Sequence, residues 1–167
     1  MGRPTFLRTA IDLACQVDGA ILECGSGLTT RLVASCLQPS ARLVSLEHDA
    51  NWCSKVARQL GRSSLPEQVL LSPLMDYGTF DWYREPPDDV TGTGFALELC
   101  DGPPAETRGG RDGLVRVMLR HILPGSTILL DGVDRDKERA TALRWAGGLN
   151  AVLRIVDDQV AVLQVSR

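Results

Sequence analysis

The chain has 167 residues, of which 44% are hydrophobic and 23% are charged, and its formal net charge at pH 7 is −3. A chain of this size predicts a single domain over residues 1–167 that buries about 70% of its unfolded surface. The negative charge argues against a nucleic-acid partner, and no apolar run approaches the ~20 residues that cross a membrane. The N-terminus contains Asp12 and no long apolar core, which argues against a signal peptide.

Five cysteines are scattered through the sequence, and none of them forms a Cys-x-x-Cys pair. They are Cys15, Cys24, Cys36, Cys53 and Cys100. An odd number of isolated cysteines favours reduced thiols, which are typical of a cytoplasmic protein. We therefore expect small buried residues here rather than metal or redox ligands.

The hydrophobic pattern of the first half predicts alternating helices and strands. Helices are predicted over 5–16, over 28–37 ahead of Pro39, and over 49–60 with Gly61 as the stop; strands are predicted over 20–24, 42–47 and 68–71.

The second half begins with an irregular, aromatic-rich segment over 76–94, for which we expect only about one turn of helix. Further strands are predicted over 95–100 and 126–130, helices over 113–122 and 134–146 with stops at Pro124-Gly125 and Gly147-Gly148, and a hairpin over 151–165 turning at Asp157-Asp158. Alternating strands and helices predict a mostly parallel sheet with helices on both faces and one antiparallel strand at its edge. Glu98 lies inside a predicted strand, and burial there would call for a cationic partner.

The segment Ala20–Thr30 combines a short apolar strand, two glycines and the start of a helix. Glycine allows the close approach and positive φ that a tight turn requires. The helix start offers free N–H groups and a partial positive charge to a polar ligand. This stretch therefore predicts a turn that holds a nucleotide-like cofactor.

An acidic residue lies at or just after the end of nearly every predicted strand. These residues are Glu23, Glu47, Asp76, Asp101 and Asp131. In an open α/β sheet, ligands bind outside the carboxyl ends of the strands. The repeated placement predicts that this edge of the sheet carries the functional site.

A dinucleotide-binding site is one interpretation of the glycine turn. Gly25 and Gly27 fit the first two glycines of G-x-G-x-x-G, and Glu47 lies at the expected distance for a ribose contact. Thr30 occupies the third glycine position, and the chain is short for a dehydrogenase. An NAD-dependent oxidoreductase therefore remains an alternative.

Glu-x-Gly-x-Gly after the first strand, an acid at the end of the second, Asp after the third and Asp-Gly-Pro-Pro after the fourth resemble class I S-adenosylmethionine-dependent methyltransferases. The resemblance covers about residues 19–165. The stretches 76–83 and 100–104 resemble small bacterial members whose substrates are generally unassigned. The resemblance to this family implies a three-layer Rossmann-like fold, a mostly parallel seven-stranded sheet with an antiparallel C-terminal hairpin strand, and S-adenosylmethionine as cofactor.

The resemblance also implies a role for each matching residue. Glu23, Gly25 and Gly27 would lie beside the methionine part of the cofactor, Glu47 at the ribose hydroxyls with His48 as a neighbour, Asp76 at the adenine amino group with Met75 or Tyr77 against the ring, and Asp101 near the transferred methyl. Simpler roles remain open. The glycines could only shape a turn, Glu47 could cap a helix or pair with an arginine, and the aspartates could be turn formers.

Catalysis could require a base if the acceptor is a hydroxyl or an amine. Asp101 and His48 are the candidates, although His48 also fits a surface residue or a cofactor neighbour. Catechol-type O-methyltransferases hold Mg²⁺ with acids after the fourth and fifth strands, which makes Asp101 and Asp131 the metal candidates, with Asp134 nearby. Gly132 departs from that pattern, so we expect no metal.

Four residues are candidates for substrate binding. Arg108 and Arg111 could clamp an anion, or could be solvated loop arginines. Trp82 and Tyr83 could form a lid over the acceptor, or could anchor the irregular loop on the core. An exposed Trp82 would also offer a dimer contact.

The sequence as a whole predicts methyl transfer to oxygen or nitrogen of a small molecule. The chain has no cap domain and only a short N-terminal helix, so a non-catalytic methyltransferase-like binding module is the other alternative. A nucleic-acid methyltransferase is disfavoured by the negative charge and by the lack of an Asn-Pro-Pro-Tyr-like motif. No motif indicates the acceptor or the oligomeric state.

Overall fold

The computed structural model describes residues 3–60 and 67–167, so the predicted helix stop at Gly61 lies outside the described residues. Within these ranges the helices are α1 Pro4–Ala14, α2 Leu28–Ala34, α3 Ala50–Leu60, α4 Asp88–Thr91, α5 Gly113–Met118 and α6 Asp136–Gly148, with a 3₁₀ helix at Leu119–His121. The strands are β1 Ala20–Cys24, β2 Arg42–Glu47, β3 Glu67–Leu71, β4 Leu74–Asp76, β5 Asp81–Tyr83, β6 Phe95–Cys100, β7 Ile122–Asp131, β8 Ala151–Val156 and β9 Val160–Val165. None of these helices is long and apolar enough to span a membrane.

Seven strands form one sheet in the order β3-β2-β1-β6-β7-β9-β8. Neighbouring strands from β3 to β7 are parallel, and β9 is antiparallel to both β7 and β8. The predicted mostly parallel sheet with a terminal hairpin is confirmed. We expected the antiparallel strand at the edge of the sheet, but β9 inserts between β7 and β8, which leaves β8 outermost.

Helices cover both faces of this sheet and create two apolar layers. On one face Phe6 and Ala10 of α1 pack with alternate residues of the strands, including Leu43 and Leu97. On the other face the core contains Leu114 of α5, Trp145 of α6 and residues of the β4–β5 hairpin. Successive side chains of a strand point to opposite faces, so strands buried on both faces consist of nearly continuous apolar runs.

The predicted bounds of β1, β2 and β6 match the structure, because these central strands carry the strongest apolar runs. Helix α2 ends at Ala34, earlier than predicted, whereas α6 continues through Gly147-Gly148. A glycine costs a helix only about 1 kcal/mol relative to alanine. Trp145, which is buried one turn earlier, anchors this last turn against the core.

The irregular segment contains a hairpin that the sequence did not predict. Strands β4 and β5 pair in antiparallel fashion, with Met75 opposite Trp82. Each strand has only three residues, which is too short for a clear alternation of polar and apolar side chains. The single turn of helix expected in this segment is present as α4.

Strand β7 begins earlier than predicted, directly after the 3₁₀ helix. Its register with β6 shifts between Phe95 and Leu97, so Pro124-Gly125 lies in an irregularity of the strand instead of ending a helix. A bulge of this kind accommodates a proline that cannot donate to the ladder.

Glu98 is fully buried in the middle of β6, and no cation of the described chain forms an ion pair with it. Our expectation that a buried Glu98 would have a cationic partner is therefore wrong. Burial raises the pKa of Glu98 well above its usual range, and the nearby Ser126 hydroxyl only partly opposes this effect. Such a shift favours the neutral form, which avoids the cost of an unpaired buried charge.

Candidate functional site

The register of four parallel strands aligns their carboxyl ends. Cys24 of β1 is paired with Leu46 of β2 and with Cys100 of β6, which is in turn paired with Leu130 of β7. The residues that follow these four positions are Gly25, Glu47, Asp101 and Asp131. The structure therefore brings the predicted glycine turn and three of the predicted acids into one row at the edge of the sheet.

Gly25 forms the tight part of the turn and approaches the loop after β6. Its φ is +94°, and its N–H donates to the Leu46 carbonyl at 2.9 Å. A Cβ on Gly25 would lie 2.9 Å from the backbone nitrogen of Gly102, so only glycine fits between the two loops. Gly27 is different, because a Cβ there would meet nothing within 4 Å.

Glu23 lies buried beneath the turn and organises it. One carboxylate oxygen, Oε2, accepts hydrogen bonds from the hydroxyls of Thr30 and Ser45, both at 2.6 Å. Thr30 Oγ1 also accepts the N–H of Gly27 at 2.7 Å, which links the carboxylate to the turn. Burial raises the pKa of Glu23 to about 7, against the opposing effect of the two hydroxyls.

Glu47 faces the turn from the end of β2. Its Oε2 accepts the backbone N–H of Ser26 at 3.2 Å and the Ser26 hydroxyl at 2.8 Å, and its Oε1 accepts the N–H of Asp49 at 2.9 Å. His48 Nδ1 lies 3.1 Å from Oε1. The His48 ring packs edge-on against Tyr83, with ring centroids 6.2 Å apart. The donors on this buried carboxylate are small and neutral, as the two hydroxyls of a ribose would be.

Asp101 and Asp131 are held at the other end of the row by Arg111. The guanidinium donates to the Asp131 carbonyl at 2.5 Å and to the Asp101 carbonyl, and Nη2 lies 3.4 Å from Asp101 Oδ1. Burial raises the pKa of Asp131 to about 6; the Asp101 carboxylate adds to this rise and Arg111 opposes it. Arg111 is only 5% exposed, so it is neither a solvated loop arginine nor a free anion clamp.

Two adjoining cavities lie over this row. The first, here called the acidic cavity, has a volume of about 530 Å³, and its lining includes Glu47, His48, Tyr83, Asp101 and Arg111. The second, here called the basic cavity, has a volume of about 440 Å³, and its lining includes Gly27, Leu28, Arg31, Trp52 and Lys55. They share a wall formed by Gly25, Ser26, Trp52 and Asp101.

The two aromatic residues predicted as a lid have different environments. Trp82 is fully buried and packs against Gly113 at the start of α5, so its assignment to substrate binding or to an exposed dimer patch is wrong. Tyr83 is also buried, but it lines the acidic cavity, and its hydroxyl has no hydrogen-bond partner among the described residues. Burial raises the pKa of Tyr83 well above its usual range, so the hydroxyl is a donor rather than a base.

Asp76, Tyr77 and Arg108 lie on the β4–β5 hairpin and the loop beside it, and they line neither cavity. Asp76 accepts the N–H of Gly78 at 2.7 Å and pairs with Arg108 at 2.6 Å, and these contacts lower its pKa. Arg108 also binds Asp81. The unpredicted hairpin carries Asp76 away from the end of β3, so the structure does not bring the expected adenine contacts or the Arg108 clamp to the site.

Trp52 is a site residue that the sequence reasoning missed. It is 42% exposed on α3, lines both cavities, and donates its indole N–H to the Ser26 carbonyl at 2.9 Å. The signal available in the sequence was a tryptophan in the first turn of a predicted helix that follows an acidic strand end.

The carboxylates at this edge do not form a three-ligand metal cluster. Among residues 3–60 and 67–167, no group of three or more His, Cys, Asp or Glu side chains is arranged to hold a metal ion. Asp134, the neighbour suggested for Asp101 and Asp131, forms an ion pair with Arg3 at 2.7 Å. That contact lowers the pKa of Asp134.

No family model and no curated protein matches this sequence. Solved structures do match its fold. A methyltransferase from Geobacter sulfurreducens is 13% identical over 100% of this chain and 82% of its own, with a TM-score of 0.70. The O-methyltransferase TomG from Streptomyces achromogenes, solved with S-adenosylmethionine, is 16% identical over 100% and 82%, with a TM-score of 0.65.

An O-methyltransferase from Bacillus cereus, solved with S-adenosylhomocysteine, is 16% identical over 99% of this chain and 83% of its own, with a TM-score of 0.65. These likenesses span nearly the whole chain. The chain therefore has the class I S-adenosylmethionine-dependent methyltransferase fold, as its sequence predicted.

Proposed function

We propose that this chain is an S-adenosylmethionine-dependent methyltransferase that acts on a hydroxyl or amine of a small molecule. One observation carries the proposal: Glu47 faces the Gly25 turn inside the acidic cavity, at the carboxyl edge of a methyltransferase fold. Ligands of open α/β sheets bind at this edge.

The residues of the acidic cavity suit a nucleoside cofactor. Each carboxylate oxygen can accept about two hydrogen bonds. Glu47 Oε1 accepts one from Asp49 and lies 3.1 Å from His48 Nδ1, so a ribose hydroxyl would take the place of the His48 contact. The Ser26 hydroxyl on Oε2 is a neutral donor that a second ribose hydroxyl can replace. Tyr83 supplies a buried hydroxyl with no partner in the described chain.

S-adenosylmethionine supplies an activated methyl group on a sulfonium. The protein has to align the acceptor with that group and exclude water, which is a proximity effect. Asp101 belongs to the wall between the two cavities, where it can accept a proton from the acceptor. Arg111 fixes the backbone carbonyls of Asp101 and Asp131, and His48, which lines the acidic cavity, is the alternative base.

We further propose a small-molecule acceptor and a cytoplasmic location. The net charge of −3 is unsuited to a polyanionic nucleic acid. All five cysteines are free, which fits a reducing compartment.

Calorimetric titration with S-adenosylhomocysteine, with NAD⁺ run in parallel, tests the cofactor. We expect micromolar binding of S-adenosylhomocysteine alone. Binding of NAD⁺ alone would replace the proposal with an oxidoreductase. If neither ligand binds to folded protein, a non-catalytic module is favoured instead. The same holds if the cofactor binds but no member of a broad acceptor panel is methylated.

Glu47→Ala tests the residue on which the proposal depends. We expect it to weaken S-adenosylhomocysteine binding by roughly 1–3 kcal/mol, because hydrogen bonds to a charged acceptor are lost. Asp12→Ala, an exposed acid on α1 outside both cavities, is the control and should bind like the wild type. Equal affinity of folded Glu47→Ala and wild type would remove Glu47 from the cofactor site.

A further inference from the structure

The arginines expected to bind an anionic substrate are already occupied. Arg108 pairs with Asp76 and Asp81, and Arg111 is bonded to the backbone of the aspartates at the sheet edge. Both guanidiniums are therefore already engaged by contacts within the chain. Cations without such contacts near the shared wall are the better candidates for charge recognition of the acceptor.

Arg31 and Lys55 are such cations. They come from α2 and α3, are exposed, and both line the basic cavity. Among the side chains of residues 3–60 and 68–167, no acid forms an ion pair with either one. Two unpaired cations on one cavity of a chain with a net charge of −3 form a local site for an anion.

The same cavity offers an apolar platform beside these charges. Trp52 is fixed by its indole hydrogen bond to the Ser26 carbonyl, and Lys55 Nζ lies 4.7 Å from the centre of the indole ring. Leu28, which is 39% exposed, also lines this cavity. An exposed indole and an exposed leucine in one cavity favour a flat aromatic ring.

We propose that the basic cavity binds the methyl acceptor and that this acceptor is an aromatic carboxylate, an inference that rests on the proposed function. The carboxylate pairs with Arg31 and Lys55, and the ring lies against Trp52. Asp101 at the shared wall repels the carboxylate. The ring therefore points its hydroxyl or amine toward Asp101 and toward the acidic cavity, where the cofactor is proposed to bind.

Matched pairs of acids and neutral amides test this inference. Wild-type protein is titrated with benzoate, salicylate and protocatechuate and with the corresponding amides, with and without saturating S-adenosylhomocysteine. The double variant Arg31→Gln with Lys55→Gln is compared with Arg154→Gln, an exposed arginine on β8 that lines neither cavity. S-adenosylhomocysteine affinity is measured for every variant.

At least one carboxylate should bind wild type and Arg154→Gln about tenfold or more tightly than its amide, as expected for charge-assisted contacts. The double variant should lose this preference and keep its S-adenosylhomocysteine affinity. Equal binding of acids and amides, no binding of any acid at millimolar concentration, or an unchanged preference in the double variant overturns the inference.

Two further outcomes separate this inference from the proposed function. If the double variant loses S-adenosylhomocysteine binding, Arg31 and Lys55 belong to the cofactor site, and the acceptor assignment is wrong. If wild type does not bind S-adenosylhomocysteine, the proposed function fails. The titrations without it then decide separately whether the basic cavity prefers aromatic anions.

Discussion

The two halves of the carboxyl edge hold their acidic side chains in different ways. At the ends of β1 and β2, Glu23 and Glu47 accept hydrogen bonds from hydroxyls and backbone N–H groups. At the ends of β6 and β7, Asp101 and Asp131 lie around one buried guanidinium, that of Arg111.

This difference matters because neutral donors and a buried cation respond differently to a ligand. A hydroxyl that leaves a carboxylate can be replaced by another hydroxyl with little change in charge. A guanidinium that leaves the β6–β7 half takes the buried donor from the Asp101 and Asp131 carbonyls and the cation from the nearby carboxylates, which is costly. The β1–β2 half therefore suits an exchangeable ligand, and the β6–β7 half keeps a fixed arrangement of charges where we place the reaction.

Removing the buried cation should have the largest effect. Arg111→Met should destabilise the fold by about 3–5 kcal/mol, because Asp101 and Asp131 lose their shared partner. The loss of the positive charge should also raise the pKa of Asp131 further. Denaturant unfolding at neutral pH measures the change, with Arg154→Met as the exposed control. A loss below about 1 kcal/mol would contradict the central role of Arg111.

The pH dependence of stability tests the β1–β2 half of the edge, where neutral donors surround the carboxyl groups. The pKa of Glu23 rises from 4.5 to about 7 on folding, so between these values the folded state binds more protons than the unfolded state. Stability should therefore fall as pH rises from about 4.5 to about 7, by on the order of 3 kcal/mol for this residue. Glu23→Gln should lack this contribution.

Unfolding curves of wild type and Glu23→Gln, recorded across this pH range, isolate the effect as a difference. Asp131 shifts in the same direction but is present in both proteins, so it cancels. Parallel curves for the two proteins would show that Glu23 is already ionised in the folded state.

The contact between the two halves can be probed with a matched pair of glycines. Gly25→Ala should cost about 2 kcal/mol, since its φ is +94° and its Cβ would collide with the Gly102 backbone. Gly27→Ala should change stability by less than about 0.5 kcal/mol, because its backbone is extended, with φ of 167°, and the space is open. Thermal unfolding of both variants makes the comparison, and equal losses would contradict it.

From the amino-acid sequence alone we could predict the class of fold and the sheet edge at which we place the site. Apolar runs marked the central strands, and acids following those runs had to meet because parallel strands end at one edge of the sheet. The glycine turn and Glu47 were identified for the same reason. Local periodicity indicates which face of an element is buried, and the alternation of strands and helices predicts a mostly parallel sheet.

By contrast, the partner of each of these side chains depends on contacts between distant parts of the chain. Arg108 and Arg111 are close in sequence and of the same type, yet one is exposed on a surface cluster and the other is buried between two strand ends. Trp82, which was expected at the site, is fully buried, whereas Trp52, for which no role was expected, is exposed and lines both cavities. Such pairings depend on register and packing between distant segments, and no local pattern of residues encodes them.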